Sequence, residues 1–113
     1  MSRPTDLVQG TLGLLILKLL ALEPMNGWGV GQQLKRLSKD DLRVSDGSVY
    51  EALHRLEQEG WIKAEWRASD NNRRAKYYSL TAPGRRQLAR ETGEWQRLSD
   101  AISRIMRLRA TEF

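Results

Sequence analysis

Apolar positions fall into four stretches with helical spacing and two short runs that alternate. From Leu7 to Leu22, one stripe holds Leu12, Leu15, Ile16, Leu19 and Leu20, while Leu7, Val8, Leu14, Leu17 and Leu22 fill most of the remaining circumference. A helix that is apolar all round needs cover on more than one side. Two covers are open, the core of its own domain or a second subunit. Met1–Asp6 is polar, contains a proline and reads as a loose arm, and Glu23-Pro24 ends the helix. Asn26 can cap a second helix over Gly27–Ser38, with Val30, Leu34 and Leu37 inward and Gln32, Lys35 and Arg36 outward. Gly27, Gly29 and Gly31 each weaken its first turns by roughly 1 kcal/mol against alanine. Such weakening implies close packing against Trp28 or a neighbouring helix. Ser38–Asp41 then reads as a polar turn and Leu42–Val44 as one rung of strand.

The stretch Ser45–Gly60, SDGSVYEALHRLEQEG, carries the most informative pattern. Val49, Leu53 and Leu56 share one helical face, with Ser45 or Asp46 as the cap and Gly60 as the stop. At 100° per residue the opposite face holds Gly47, Glu51, His54 and Gln58, flanked by Ser48, Tyr50 and Arg55. A purely solvated face in so charged a chain would be Lys and Glu. These side chains instead suit phosphates and base edges, and a glycine lets another backbone approach.

Two strand-like runs follow. Trp61–Arg67 alternates, with Ile62, Ala64 and Trp66 on one side and Lys63, Glu65 and Arg67 on the other. The turn formers Ser69-Asp70-Asn71-Asn72 lead to a return strand, Ala75–Leu80, with Tyr78 and Leu80 on one face and Lys76 at its tip. Arg67, Arg73, Arg74 and Lys76 thus surround a hairpin tip. Alone they read equally as a solvated cluster or as a contact surface. Behind a recognition helix they read as a wing for phosphates or a minor groove. Thr81 caps a last helix, with Pro83 in its first turn, reaching to about Arg109. Leu88, Trp95 and Ile102 form one apolar line on it, and Leu98 and Ile105 another. At roughly 27 residues and about 40 Å, this helix is longer than a small domain can cover, so its stripe seeks another helix.

Composition narrows the classes. The 113 residues and 13.0 kDa make one small folding unit, with net charge +5 and pI ≈ 10.0, which favours polyanionic partners. There are no cysteines, so disulfides and thiolate metal sites are excluded. The apolar run Leu12–Leu22 is short of the ~20 residues that span a bilayer. No membrane insertion, no cofactor and a cytoplasmic location are expected. The single histidine, His54, has no carboxylate cluster at metal spacing. Ser48 and His54 lie about 120° apart around their helix, which does not make a nucleophile–base pair. The glycines at 27, 29 and 31 follow no strand and form no phosphate loop. An enzyme is not expected.

Helix, helix, hairpin is the order of a winged helix-turn-helix. The run VSDGSVYEALHRLEQEGWI and the later RRAKYYSLTAPG resemble the PadR-like transcriptional regulators. The resemblance extends from about Leu12 to Trp95. It rests on the tyrosine, the Leu-x-x-Leu-x-x-x-Gly pattern, the Arg-Arg pair and the Tyr-Tyr-x-Leu-Thr run, in that order. It implies a mainly α fold with a small β-hairpin wing. Residues 1–81 would be a winged helix-turn-helix, and 82–113 a single long dimerisation helix as in the short members.

The resemblance further implies a cytoplasmic homodimeric repressor on a near-palindromic operator of double-stranded DNA, released by a ligand or other signal. Ser45, Gly47, Ser48, Tyr50, Glu51, His54 and Arg55 would contact the groove and adjacent phosphates, and Arg67, Arg73, Arg74 and Lys76 the wing side. Glu51 departs from the proline or small residue often found after the family's tyrosine. It can accept from a cytosine amine or repel phosphate, and the sequence leaves both open. The dimer would use Leu12, Leu15, Leu19, Leu88, Trp95, Leu98, Ile102 and Ile105. Some short PadR-like proteins hold flat apolar ligands at a tryptophan in this region, so Trp95 is the candidate contact for a small apolar inducer.

Two rival classes remain at this point. A winged helix used only for protein contacts would need an exposed apolar patch. A small-molecule sensor with little DNA role could line a pocket with Trp28, Trp61, Trp66 and Trp95.

Overall fold

Three helices start where a short polar side chain accepts a backbone N–H. Asn26 Oδ1 accepts from Gly29 at 2.7 Å, Ser45 Oγ from Ser48 at 3.1 Å and Thr81 Oγ1 from Gly84 at 3.1 Å. The computed structural model describes residues 5–68 and 71–113, with side chains from residue 11 on. Its helices are α1 (Thr5–Leu22), α2 (Gly27–Leu37), α3 (Asp46–Gln58) and α4 (Ala82–Met106), followed by a 3-10 turn, Ala110–Glu112. Three strands, β1 (Met25–Asn26), β2 (Ile62–Ala68) and β3 (Arg74–Leu80), form an antiparallel sheet in the order β1-β3-β2.

Two boundaries differ from the sequence reading. The expected arm overlaps α1 at Thr5 and Asp6, and its residues 1–4 lie outside the described residues. The third strand is Met25–Asn26, which pairs with Tyr77 and Tyr78, and not Leu42–Val44. Hydrophobic alternation cannot reveal a strand of two residues, because no period fits inside it. The turn between α2 and α3 instead uses left-handed backbone at Lys39 and Asp40, φ 54° and 68°. It is held by bonds from Asp40 N to the Lys35 carbonyl and from Leu42 N to Ser38 Oγ, each 2.9 Å.

The core explains the all-round apolar helix. Leu12, Ile16, Leu17, Leu19 and Leu20 are all buried, and α1 touches α2, α3, α4 and β3. Against them pack Val30 and Leu34 of α2, Val49, Ala52, Leu53 and Leu56 of α3, and Ile62, Tyr78 and Leu80 of the sheet. Leu37 was expected inward but ends α2 exposed. The hairpin leaves the core progressively. On its inner face Ile62 is buried, Ala64 is partly buried and Trp66 is exposed. Helix α4 leaves at the other end. Leu88 packs on the core, while Trp95, Leu98, Ile102, Ile105 and Met106 are exposed. The molecule is therefore elongated, 63 × 30 × 22 Å.

Candidate nucleic-acid interface

Helix α3 buries Val49, Ala52, Leu53 and Leu56 and leaves Gly47, Glu51, His54 and Gln58 exposed, the division its periodicity predicts. Ser45 serves chiefly as the cap, and its hydroxyl also donates to Ser48 Oγ at 3.0 Å. Among the described residues, no contact requires a glycine at 47. A Cβ there would meet only Ser45 Oγ, at an ordinary 3.9 Å.

The flanks are less simple than the sequence implied. The Tyr50 ring lies against α2, where a Cβ on Gly27 would fall 2.5 Å from Cε1. Gly27 is thus the close-packing glycine, and its neighbour is Tyr50; Trp28 is exposed. Arg55 leans towards α1, with Nη2 3.7 Å from where a Gly13 Cβ would stand.

The four basic residues of the wing do not form one cluster. Cross-strand register sets Trp66, Arg74 and Lys76 on one face of the hairpin and Arg67 and Tyr77 on the other. Arg67 pairs with Glu65 and lies over the Tyr77 ring, 5.3 Å from its centroid. Arg74 lies over Trp66 at 5.7 Å. Lys76 is not at the tip. It sits opposite Trp66, and its Nζ is 3.4 Å from Glu57 Oε1 of α3. Burial lowers the affinity of that ammonium for its proton, but Tyr78 and Glu57 outweigh it and hold the pKa above the usual lysine value. Lys76 therefore ties the wing to α3, and its charge is shared with Glu57. Arg73 and Arg74 flank the tip and are exposed. Ser69 and Asp70 of the turn lie outside the described residues, and Asn72 takes φ 64°.

The second feature is a groove of about 540 Å³ between α1 and α4, lined by Thr11, Leu14, Leu15, Lys18, Leu42, Leu88, Thr92 and Trp95. The four tryptophans do not share one pocket. Trp95 lines this groove, Trp28 and Trp66 line a hollow beside the wing, and Trp61 is partly buried against the core. Leu12 and Leu19, expected at a dimer contact, are enclosed in the subunit's own core. The α1 stripe that carries them faces inward, which corrects that assignment.

The described elements, three helices followed by a hairpin and a long helix, meet a direct comparison. The transcriptional regulator PadR-like family matches residues 16–90. The chain belongs to this family. Similar solved structures include a PadR-like transcriptional regulator from Bacillus cereus, 26% identical with TM-score 0.81, covering 92% of this chain and 99% of that one. A PadR family transcriptional regulator from Eggerthella lenta is 27% identical with TM-score 0.78, covering 92% and 88%. A PadR-like transcription factor from Bacteroides fragilis is 30% identical with TM-score 0.72, covering 89% and 95%. This PadR-like protein is a winged-helix, DNA-binding transcriptional regulator and not an enzyme. Among the described residues, no helix is long and apolar enough to cross a membrane.

Proposed function

We propose that this PadR-like protein is a cytoplasmic homodimeric repressor that places α3 of each subunit in successive major grooves of a near-palindromic operator. One observation carries the reading. The exposed face of α3 holds Gly47, Glu51, His54 and Gln58, and the hairpin beside it carries Arg73 and Arg74 around its tip. Glu51 and His54 would read base edges, and Gly47 would let the helix backbone close on the groove. Ser48, Tyr50 and Arg55 would hold adjacent phosphates, with the cap at Ser45 fixing the helix start. The wing arginines would neutralise phosphates or enter the minor groove, where arginine is favoured.

Residues 1–81 would act as the DNA-binding unit and 82–113 as the dimerisation helix. Leu15, Leu88, Trp95, Leu98, Ile102 and Ile105 are the interface residues proposed. A small apolar ligand in the α1–α4 groove, against Trp95, would change the angle of α4 and so the spacing of the two recognition helices. The test is a gel shift on the DNA upstream of the protein's own gene, with unlabelled specific and random competitors. A shift that random DNA removes as readily as the specific fragment would reject operator recognition.

A further inference from the structure

The α3–wing reading leaves two exposed tryptophans unexplained. Trp28 and Trp66 are 63% and 59% exposed, and Tyr50, which shares their hollow, is 51% exposed. Together with Lys76 and Tyr78 they line a hollow of about 380 Å³ where the start of α2, the flank of α3 and the inner face of the hairpin meet. A second hollow, about 570 Å³, also touches Trp28 and is lined by Asn71, Arg73, Arg74 and Tyr77. The two share Asn26, Trp28 and Ala75. An aromatic hollow thus adjoins a basic one. Arg74 bridges them, since it lines the basic hollow while its guanidinium lies over the Trp66 ring.

We propose that this pair of hollows grips one backbone strand of duplex DNA at the edge of the operator, with Trp28 and Trp66 as its apolar jaws. The proposal rests on the DNA reading of α3 and the wing, and its occupant follows from chemistry and continuity. A backbone strand of a duplex alternates apolar deoxyribose faces with anionic phosphates, and the surface sets an aromatic hollow beside a basic one. Contacts to sugar and phosphate fix register without reading bases. The hollows also adjoin the proposed interface directly, because Tyr50 belongs to α3 and Arg73 and Arg74 to the wing. Trp28 and Trp66 would therefore add affinity equally on every sequence and orient α3 over its bases.

Fluorescence tests this on the intact protein. A W61F/W95F variant keeps Trp28 and Trp66 as the emitters, and W28F/W66F keeps the other two. Saturation with the upstream duplex should shift the first variant's emission and shield it from acrylamide, and leave the second less changed. W28A and W66A should each bind about three- to tenfold more weakly, specific and random duplex alike, as expected for a partly buried apolar contact that is lost. Their salt dependence should stay at the wild-type slope, because no charge is removed. W28F and W66F should recover most of the loss. If the duplex binds tightly while Trp28 and Trp66 stay as quenchable as in the unbound protein, the aromatic grip is wrong and the α3–wing reading stands. Equal affinity of W28A, W66A and wild type would also overturn it. Failure of wild type to bind any duplex would sink both readings together.

Discussion

Gly84 runs so close to Trp61 that a Cβ on it would fall 1.9 Å from the Trp61 carbonyl oxygen. That carbonyl accepts the Thr81 N–H at 3.1 Å, and the Thr81 hydroxyl donates to the Gly60 carbonyl at 2.7 Å while accepting from Gly84 N. The start of α4 is therefore seated by backbone contacts on the turn that joins α3 to the wing. Gly84→Ala forces backbone against backbone, and no side-chain rotation relieves it. Overpacking of this kind should destabilise the domain by about 3 kcal/mol or more. The expected readout is a lower urea midpoint with an unchanged slope. A midpoint within error of wild type would show that α4 can shift without loss.

Gly27→Ala should behave differently, although its Cβ also meets an atom at 2.5 Å. The obstacle is the outer part of the Tyr50 ring, which is half exposed and can rotate away. Alanine also favours the helix by roughly 1 kcal/mol over glycine. Stability should therefore change little, while affinity for DNA falls because Tyr50 is displaced. Combining Gly27→Ala with Tyr50→Ala should then add little further loss. Full additivity in that double-mutant cycle would show that the two residues act separately.

The contrast between these glycines shows what was legible in the chain. Helical periodicity places α2, α3 and α4 to within a few residues, because Asn26, Ser45 and Thr81 mark their starts and each helix carries one apolar stripe, which α2 and α3 bury and α4 leaves largely exposed. The exposed face of α3 follows from the same arithmetic. Tertiary approach is invisible to it. Gly84 sits after Pro83 and reads merely as a helix start, and nothing local shows that Trp61 comes within touching distance. The wing hides its arrangement for a similar reason. Counting Arg67, Arg73, Arg74 and Lys76 as one cluster ignores the strand register that separates Arg67 from Arg74 and brings Lys76 to Glu57. An α1 that is apolar all round points Leu12 and Leu19 to a dimer, whereas burial inside the subunit accounts for both.

Base reading by α3 has its own test. His54→Ala and Glu51→Ala should change the preference among operator variants, since each good base contact is worth roughly 1–3 kcal/mol of discrimination. Gly47→Ala should raise stability by up to about 1 kcal/mol, because the position is helical and sterically open. It should nonetheless weaken operator binding by holding the helix off the groove. Equal losses on operator and random DNA for His54→Ala and Glu51→Ala would show that neither residue reads sequence.

Charge and packing separate in the wing. Arg73→Ala and Arg74→Ala should each flatten the dependence of log affinity on log salt by about 0.9 per lost phosphate contact. Lys76→Met should leave that slope nearly unchanged, because its ammonium is engaged with Glu57. The proton-affinity shift sets the sign for stability. With the folded pKa raised, the Lys76 contribution is present at neutral pH and is lost as pH rises through and beyond the lysine range. An alkaline loss of stability that Lys76→Met leaves unchanged would contradict this assignment.

The proposed dimer depends on the part of α4 that leaves its own domain. The helix has 25 residues, which makes it about 37 Å long, and its apolar side chains from Leu98 through Ile102, Ile105 and Met106 are exposed. A stripe of this length is most simply covered by an isologous partner, the commonest closed assembly. The partner helix also meets a geometric need, since two recognition helices must stand about 34–36 Å apart to enter successive major grooves. Truncation after Arg90 retains Leu88, which packs on the core, and removes Trp95, Leu98, Ile102 and Ile105. It should give a monomer that has lost specific operator binding but keeps the salt-sensitive binding of a single wing and helix. Ile102→Glu with Ile105→Glu should do the same without shortening the chain, because both side chains are exposed in the subunit and their loss leaves its core intact. Analytical ultracentrifugation of the two proteins decides the matter. A dimer that survives both changes would move the interface to α1 and leave the exposed stripe of α4 without the role proposed for it.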